Sequence, residues 1–172
     1  MDTLPVAIRP LAAHELPLLE SAVPRALDLH RTRFELQEEG RGFYLVAWHG
    51  EQPIGMAYLR WEGAPREPMA SRLHRCPHIS DLFVLPDYRS HGAGSRIMDA
   101  VEAAVRERGY SQVGLAVALD NAGARALYAR RGYSDSGLGT HTIEWIARDE
   151  QGRELVLREV CDYLVKPLAQ PA

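Results

Sequence analysis

The spacing of apolar positions divides this chain into short alternating runs and a few stretches with helical period. The clearest stretch is ISDLFVLPDYRSHGAGSRIMDAVEAAVRERG, from Ile79 to Gly109. It reads as a strand, a glycine-bearing loop and a helix, and Ile97, Val101, Ala104 and Val105 recur at the intervals that build one buried stripe. Asp99, Glu102, Arg106 and Glu107 are assigned to the wet side. Before it, Val6 to Pro10 alternates as a first strand, Glu15 to Leu19 and Val23 to Glu39 read as helical, and Gly40 and Gly42 stop the second helix. Phe43 to Trp48 and Ile54 to Trp61 form an antiparallel hairpin by the same reading. After it, Gln112 to Leu119 predicts a strand that closes a parallel β-α-β unit, and Asp120 and Asn121 cap a helix from Ala122 to Arg131. Thr140 to Ala147 and Leu155 to Val165 are the last strands, and Pro167 opens a tail. The segment from Glu62 to Pro77 is irregular, with at most one short helix, and loops of that length in small domains usually serve function.

Composition narrows the class. With 172 residues, 46% of them hydrophobic and 25% charged, the chain makes one globular domain over 1–172 with its core in 5–167. A formal charge of -3 gives no electrostatic case for nucleic-acid binding. No leader pattern opens the chain and no run is long enough to span a bilayer, so the expected place is the cytoplasm, away from membranes. Cys76 and Cys161 are too few for a disulfide framework and are read as thiols.

The loop carries the chemistry. Arg89, Ser90, His91, Gly92, Ala93 and Gly94 spell R-x-x-G-x-G at the mouth of a helix. Glycines there let the backbone turn and let an anion approach the free N–H groups of the first turn, Ser95 included. A Walker loop is excluded because no Lys-Ser or Lys-Thr follows, and a dinucleotide fingerprint because the third glycine is missing and residues 86–91 intervene. Cationic or donor groups on Arg89, His91 and Arg96 fit an anion site.

This loop, preceded by L-F-V-x-P-x-Y and followed by Asn121, Ala124, Leu127, Tyr128 and Gly132-Tyr133 as N-x-x-A-x-x-L-Y-x-x-x-G-Y, resembles the GNAT superfamily of N-acetyltransferases. S-D-L-F-V-L-P-D-Y-R with Y-A-R-R-G-Y-S-D is similar to its polyamine and thialysine acetyltransferase branch. The resemblance implies an α/β fold of the α+β type, with a mixed, mostly antiparallel sheet of six to seven strands and about four helices. It implies acetyl-CoA as donor, with the backbone of Leu82, Phe83 and Val84 pairing with the pantetheine arm as an added strand. N–H groups from Ser90 to Ser95 then hold the pyrophosphate, and Asn121 is either a cofactor contact or a helix cap.

By the same resemblance Tyr128 donates to the departing sulfur, and a phenol, at about 10, is protonated at neutral pH. Strand alternation groups Asp81 with Ile79, Phe83 and Leu85, which makes Asp81 the candidate base, a group that binds the acceptor's charge, or a partner for an arginine in 66–75. His74, Cys76 and His78 spell H-x-C-x-H, but alternate positions stiffened by Pro77 converge poorly on one ion, so no metal site is assigned and the three are read as lining the acceptor pocket or the loop surface. Arg66, Arg72 and Arg75 suit an acceptor carboxylate or a solvated loop. The reading is direct transfer of acetyl from acetyl-CoA to a primary amine of a small molecule. Its alternatives are a protein N-terminal or lysine acetyltransferase and a silent acyl-CoA sensor. Exposed edges in Val160 to Val165 suit a homodimer.

Overall fold

A computed structural model describes residues 5–25, 28–149 and 151–169. In chain order its elements are β1 (Ala7–Pro10), α1 (Leu16–Ala22), α2 (Leu29–Glu38), β2 (Gly42–His49), β3 (Gln52–Arg60), α3 (Met69–Arg72) and β4 (His78–Val84). There follow α4 (Ala93–Glu107), β5 (Gln112–Ala118), α5 (Ala122–Arg130), β6 (Ser134–Asp135), β7 (His141–Arg148) and β8 (Glu154–Pro167). One sheet runs β1-β2-β3-β4-β5-β8-β6, with β7 paired to β8. Among the described residues β4 and β5 form its one parallel pair. This is the expected mixed, mostly antiparallel α/β architecture with a slightly higher strand count. The added strand, β6, is two residues long, too short to leave a periodic signal, and α3, four residues long, is the one short helix allowed for in Glu62 to Pro77.

Each face of the sheet has its own core. Leu45, Ala47, Ala57 and Leu59 pack with Ile97, Met98, Val101 and Val105 of α4 on one side. Tyr44, Val46, Met56 and Tyr58 pack with Leu16 and Leu19 of α1 on the other. The alternation of apolar residues along β2 is therefore buried on both faces, as a central strand requires. Ile97, Met98, Val101 and Val105 have no exposed surface, and burial of each contributes about 1.5–3 kcal/mol. That burial is what fixes the start of α4 in space.

The structure corrects the reading in several places. Helix does not run from Val23 to Glu39: Val23 and Arg25 are non-helical, Asp28 takes a left-handed φ of 46°, and α2 begins at Leu29. Residues 26 and 27 lie outside the described residues. The Val23 carbonyl accepts from Nε2 of the buried His30 at 2.6 Å instead of joining a helical ladder. The tail is not free at Pro167, because Leu168 is buried and its N–H reaches the Ser111 carbonyl at 2.8 Å. Nor are the edges of Val160 to Val165 exposed, Val160 lying between Thr142 and the Leu119 N–H. Residues 161–165 of β8 pair with β5 along one side, while β7, β6 and the Ser136 N–H cover the other.

Glu102 is the largest departure, for it is buried at 3% exposure and not on the wet side. Its carboxylate receives Lys166 Nζ at 2.7 Å, Arg131 Nη2 at 3.1 Å and the Tyr133 hydroxyl at 3.3 Å. It thereby joins α4, the end of α5 and β8. Removing one partner of a buried ionic cluster leaves uncompensated charge, so Glu102→Ala is expected to lower the unfolding free energy by about 3–5 kcal/mol. Urea titration measures this, and a loss below about 1 kcal/mol contradicts it.

Candidate active site

The sheet opens at its middle. β4 and β5 pair only at His78 with Gly114 and Ile79 with Leu115, and beyond those residues the two strands part. The cause lies in β4. Phe83 sits opposite Met56 and Ser80 opposite Tyr58, so both Asp81 and Leu82 stand against Ala57. This extra residue is a bulge, which bends a strand and increases its twist. Asp81 absorbs the bend with a φ of 58°. Past the bulge the faces exchange: Ile79, Leu82 and Val84 share the α4-side core, whereas Phe83 and Leu85 join the opposite one. The alternation that grouped Asp81 with Ile79, Phe83 and Leu85 is thus broken at Asp81 itself. On the fork side, Ser80 to Val84 of β4 and Ala116 to Ala118 of β5 present backbone that neither strand gives to the other.

Asp81 is already engaged. Arg33 of α2 donates from Nε at 2.6 Å and Ser80 Oγ donates at 3.1 Å, both to Oδ2. Its ion-pair partner is this helix arginine and not one from 66–75, and the Arg33 guanidinium also lies 5.0 Å from the Tyr58 ring centre. A carboxylate held this way anchors α2 to β4. Arg66 and Arg75 are also occupied, on the Glu144 and Gly109 carbonyls, each at 3.2 Å.

The loop after β4 leads to the start of α4. Ser90 and Gly92 take φ of 62° and 83°, the left-handed geometry that places successive N–H groups on one concave side. Gly92 is the N-cap and offers no side chain, so the N–H groups of Ala93, Gly94 and Ser95 have no acceptor among the described residues. A fifteen-residue helix therefore ends in free donors beside the fork. Arg89 does not point there: its Nε bonds the Val84 carbonyl at 2.9 Å and its guanidinium stacks on Phe83. His91 Nδ1 bonds the Arg89 carbonyl at 2.7 Å, and Arg96 reaches the Val6 carbonyl at 3.3 Å. Arg89 and His91 thus brace the loop, and Arg96 ties α4 to the chain just before β1.

On the far bank, Asn121 Oδ1 accepts the Ala124 N–H at 3.1 Å, the cap that α5 requires. Two turns on, Tyr128 is 7% exposed, leans on Tyr133 with ring centres 5.7 Å apart, and has no hydrogen-bond partner for its hydroxyl among the described residues. Burial pushes this phenol up to about 12. It stays protonated throughout the neutral range.

Of the floor on the opposite face, sequence reasoning reaches His78, set at the acceptor pocket or the loop surface, and misses Tyr163 and His141. His78 stacks on Tyr163 at 5.7 Å and shares a 2.9 Å hydrogen bond with its hydroxyl, and His141 tilts against the same ring. Gly114 is what admits Tyr163, since a Cβ there would stand 2.5 Å from the ring. Cys76 is buried and its thiol pushed up to about 11, so it is an unreactive wall. Among the described residues no group of three His, Cys, Asp or Glu could hold a metal ion.

A model of the acetyltransferase (GNAT) family matches residues 9–133. The structure of ribosomal-protein-S18-alanine N-acetyltransferase from Escherichia coli is similar, with a TM-score of 0.65, 18% identity, and 97% of this chain and 96% of that chain covered. Ribosomal-protein-alanine N-acetyltransferase from Brucella melitensis gives 0.64 at 20% identity over 94% and 99%. A GNAT family acetyltransferase from Elizabethkingia anophelis with acetyl-CoA bound gives 0.60 at 17% over 95% and 98%. At these identities the shared property is the fold.

Burial lowers His78 to about 4 and also holds His30 and His141 below the usual imidazole value. Above pH 6.5 neither the folded nor the unfolded chain protonates them. As pH falls through 6.5 the unfolded chain takes up protons that the folded protein refuses, so stability falls with acid. Between pH 7 and pH 5 His78 alone is expected to cost about 2 kcal/mol. Urea titrations at both pH values measure the slope, and His78→Gln should flatten it; a native curve flat over this range contradicts the assignment.

Proposed function

The chain belongs to the GNAT acetyltransferase family, and from that premise we propose that it moves acetyl from acetyl-CoA to a primary amine of a small molecule by direct attack. Acetyl-CoA is the donor this family uses, and it supplies a thioester whose carbonyl carbon is the electrophile. The residues present fit it. Three unpaired helix N–H groups suit its diphosphate, and the edge of β4 along Leu82, Phe83 and Val84, where Arg89 already takes the Val84 carbonyl, suits an extended amide-bearing arm. Ser90, His91 and Gly92 close the turn around the anion, and Arg89 locks that turn to β4. The cap at Asn121 sets the direction of α5 and hence the height of Tyr128.

Tyr128 serves the departing sulfur. A phenol at about 12 is a weaker acid than a thiol at about 8.5, so it stabilises the developing thiolate by hydrogen bonding without giving up its proton. The proton that ends on sulfur is the one the attacking nitrogen must lose, carried across by water. Asp81 keeps its place beside the bulge through Arg33 and Ser80 and receives the positive charge of the incoming amine, which gives a first proton to solvent water before its lone pair attacks. The observation that carries the small-acceptor reading is that same ion pair. It ties α2 to β4 next to the fork, and an extended peptide lying there would have to break it.

Thiol release from acetyl-CoA, followed with a panel of small primary amines and of peptides, tests the proposal. Tyr128→Phe should lower kcat by about 10²- to 10⁴-fold with acetyl-CoA affinity little changed. An unaltered kcat removes Tyr128 from the reaction. Turnover of peptides with none of small amines overturns the acceptor class.

A further inference from the structure

β8 is 14 residues long, yet only Cys161–Pro167 lies against β5. Its first part, residues 154–159, pairs with β7 alone, so the two strands leave the sheet as a ribbon. A two-stranded ribbon is marginal in water without a packed face. This one is apolar. Of the eight exposed large hydrophobic residues among those described, Trp145, Ile146, Leu155, Val156, Leu157 and Val160 lie on it. A seventh, Leu119, bonds from its N–H to the Val160 carbonyl at 3.0 Å and extends the patch onto the end of β5.

The register sorts these side chains. Residues directly opposite share a face, which puts Val160 with Thr142, Arg158 with Glu144, and Val156 with Ile146 on one side. Leu119, opposite Val160, falls on that side too. Leu119, Ile146, Val156 and Val160 are 47–62% exposed, more than Trp145 at 37% or Leu157 at 40% on the other face. At the centre Arg158 Nε meets Glu144 Oε1 at 2.5 Å, the two side chains 68% and 47% exposed.

We propose that this face is the seam of a homodimer, in which the ribbons of two copies stack about a two-fold axis running along the strands. Such an axis lays β7 of one copy over β8 of the other. Ile146 then meets Val156 of the second copy, and Glu144 meets Arg158 of the second copy, twice over by symmetry. No other occupant is matched by the face so fully. Each cross-strand pair is complementary to its own reversal, which is what an isologous interface demands. Glu144 and Arg158 balance one another on this face, so it offers no net positive charge to an anionic membrane surface. Eight residue pairs at about 3.4 Å each make a face roughly 27 Å long and about 10 Å wide. Roughly 270 Å² of projected face per copy falls short of the about 800 Å² per partner of a standard interface, so the dimer forms and dissociates with concentration. This inference stands apart from the acetyl-transfer reading and does not need it.

Sedimentation equilibrium of the native protein between about 1 and 200 μM should show a reversible monomer–dimer equilibrium with micromolar affinity. Arg158→Glu and Glu144→Arg should each give a folded monomer, with affinity for self lowered at least about tenfold, one unit of log K for one unit of interaction free energy near 1.4 kcal/mol. Mixing the two variants should restore the dimer, because acidic ribbons then face basic ones. A role confined to the ion pair within one chain cannot produce that rescue. A native protein that stays monomeric at 200 μM, alone or bound to anionic vesicles, overturns the proposal. So does open-ended association, or a mixture that remains monomeric while circular dichroism shows both variants folded.

Discussion

One extra residue in β4 governs the layout of this molecule. With Asp81 and Leu82 both set against Ala57, the strand cannot stay in register with β5, and the parallel pair ends after two residues. Everything attributed to the site follows from that parting. It frees backbone along Leu82 to Val84, it turns Asp81 into reach of Arg33, and it exchanges the faces on which Phe83 and Leu82 pack. A non-glycine residue at φ 58° is costly, by about 1–3 kcal/mol, and persists only where its surroundings hold it. Here the Arg33 ion pair and the Ser80 hydroxyl do the holding.

The rest of the chain keeps the two banks of the fork rigid. α4 is pinned by a stripe without exposed surface, so its uncapped first turn stays aimed at the gap. α5 is pinned at its start by the Asn121 cap and at its end by Arg131 on Glu102, which also holds Lys166 of β8. Tyr128 stands between those two fixed points. The site is therefore built mainly from element ends, where backbone groups are unpaired, with one buried phenol set among them.

Much of this could be read from the sequence because it is local. The stripe of α4, the glycine turn before it, the Asn121 cap and the seven-residue step to Tyr128 all depend on neighbours in the chain. What escaped depends on partners far away. Arg33 looked like one charge among many on a polar helix, and its carboxylate lies 48 positions on. Glu102 falls between apolar positions on a helical wheel, and only the arrival of Lys166 and Arg131 makes its burial tolerable. A bulge leaves no composition signal, so in the sequence alternation runs straight through Asp81. The ribbon of β7 and β8 reads as ordinary strand, since alternation does not reveal whether a strand has a neighbour on both sides.

Amide hydrogen exchange, with and without acetyl-CoA, tests the central claim most directly. The account predicts slowed exchange concentrated in two segments, residues 82–84 at the open edge of β4 and residues 90–95 at the start of α4. Binding that leaves both segments unchanged and protects another part of the molecule would contradict it.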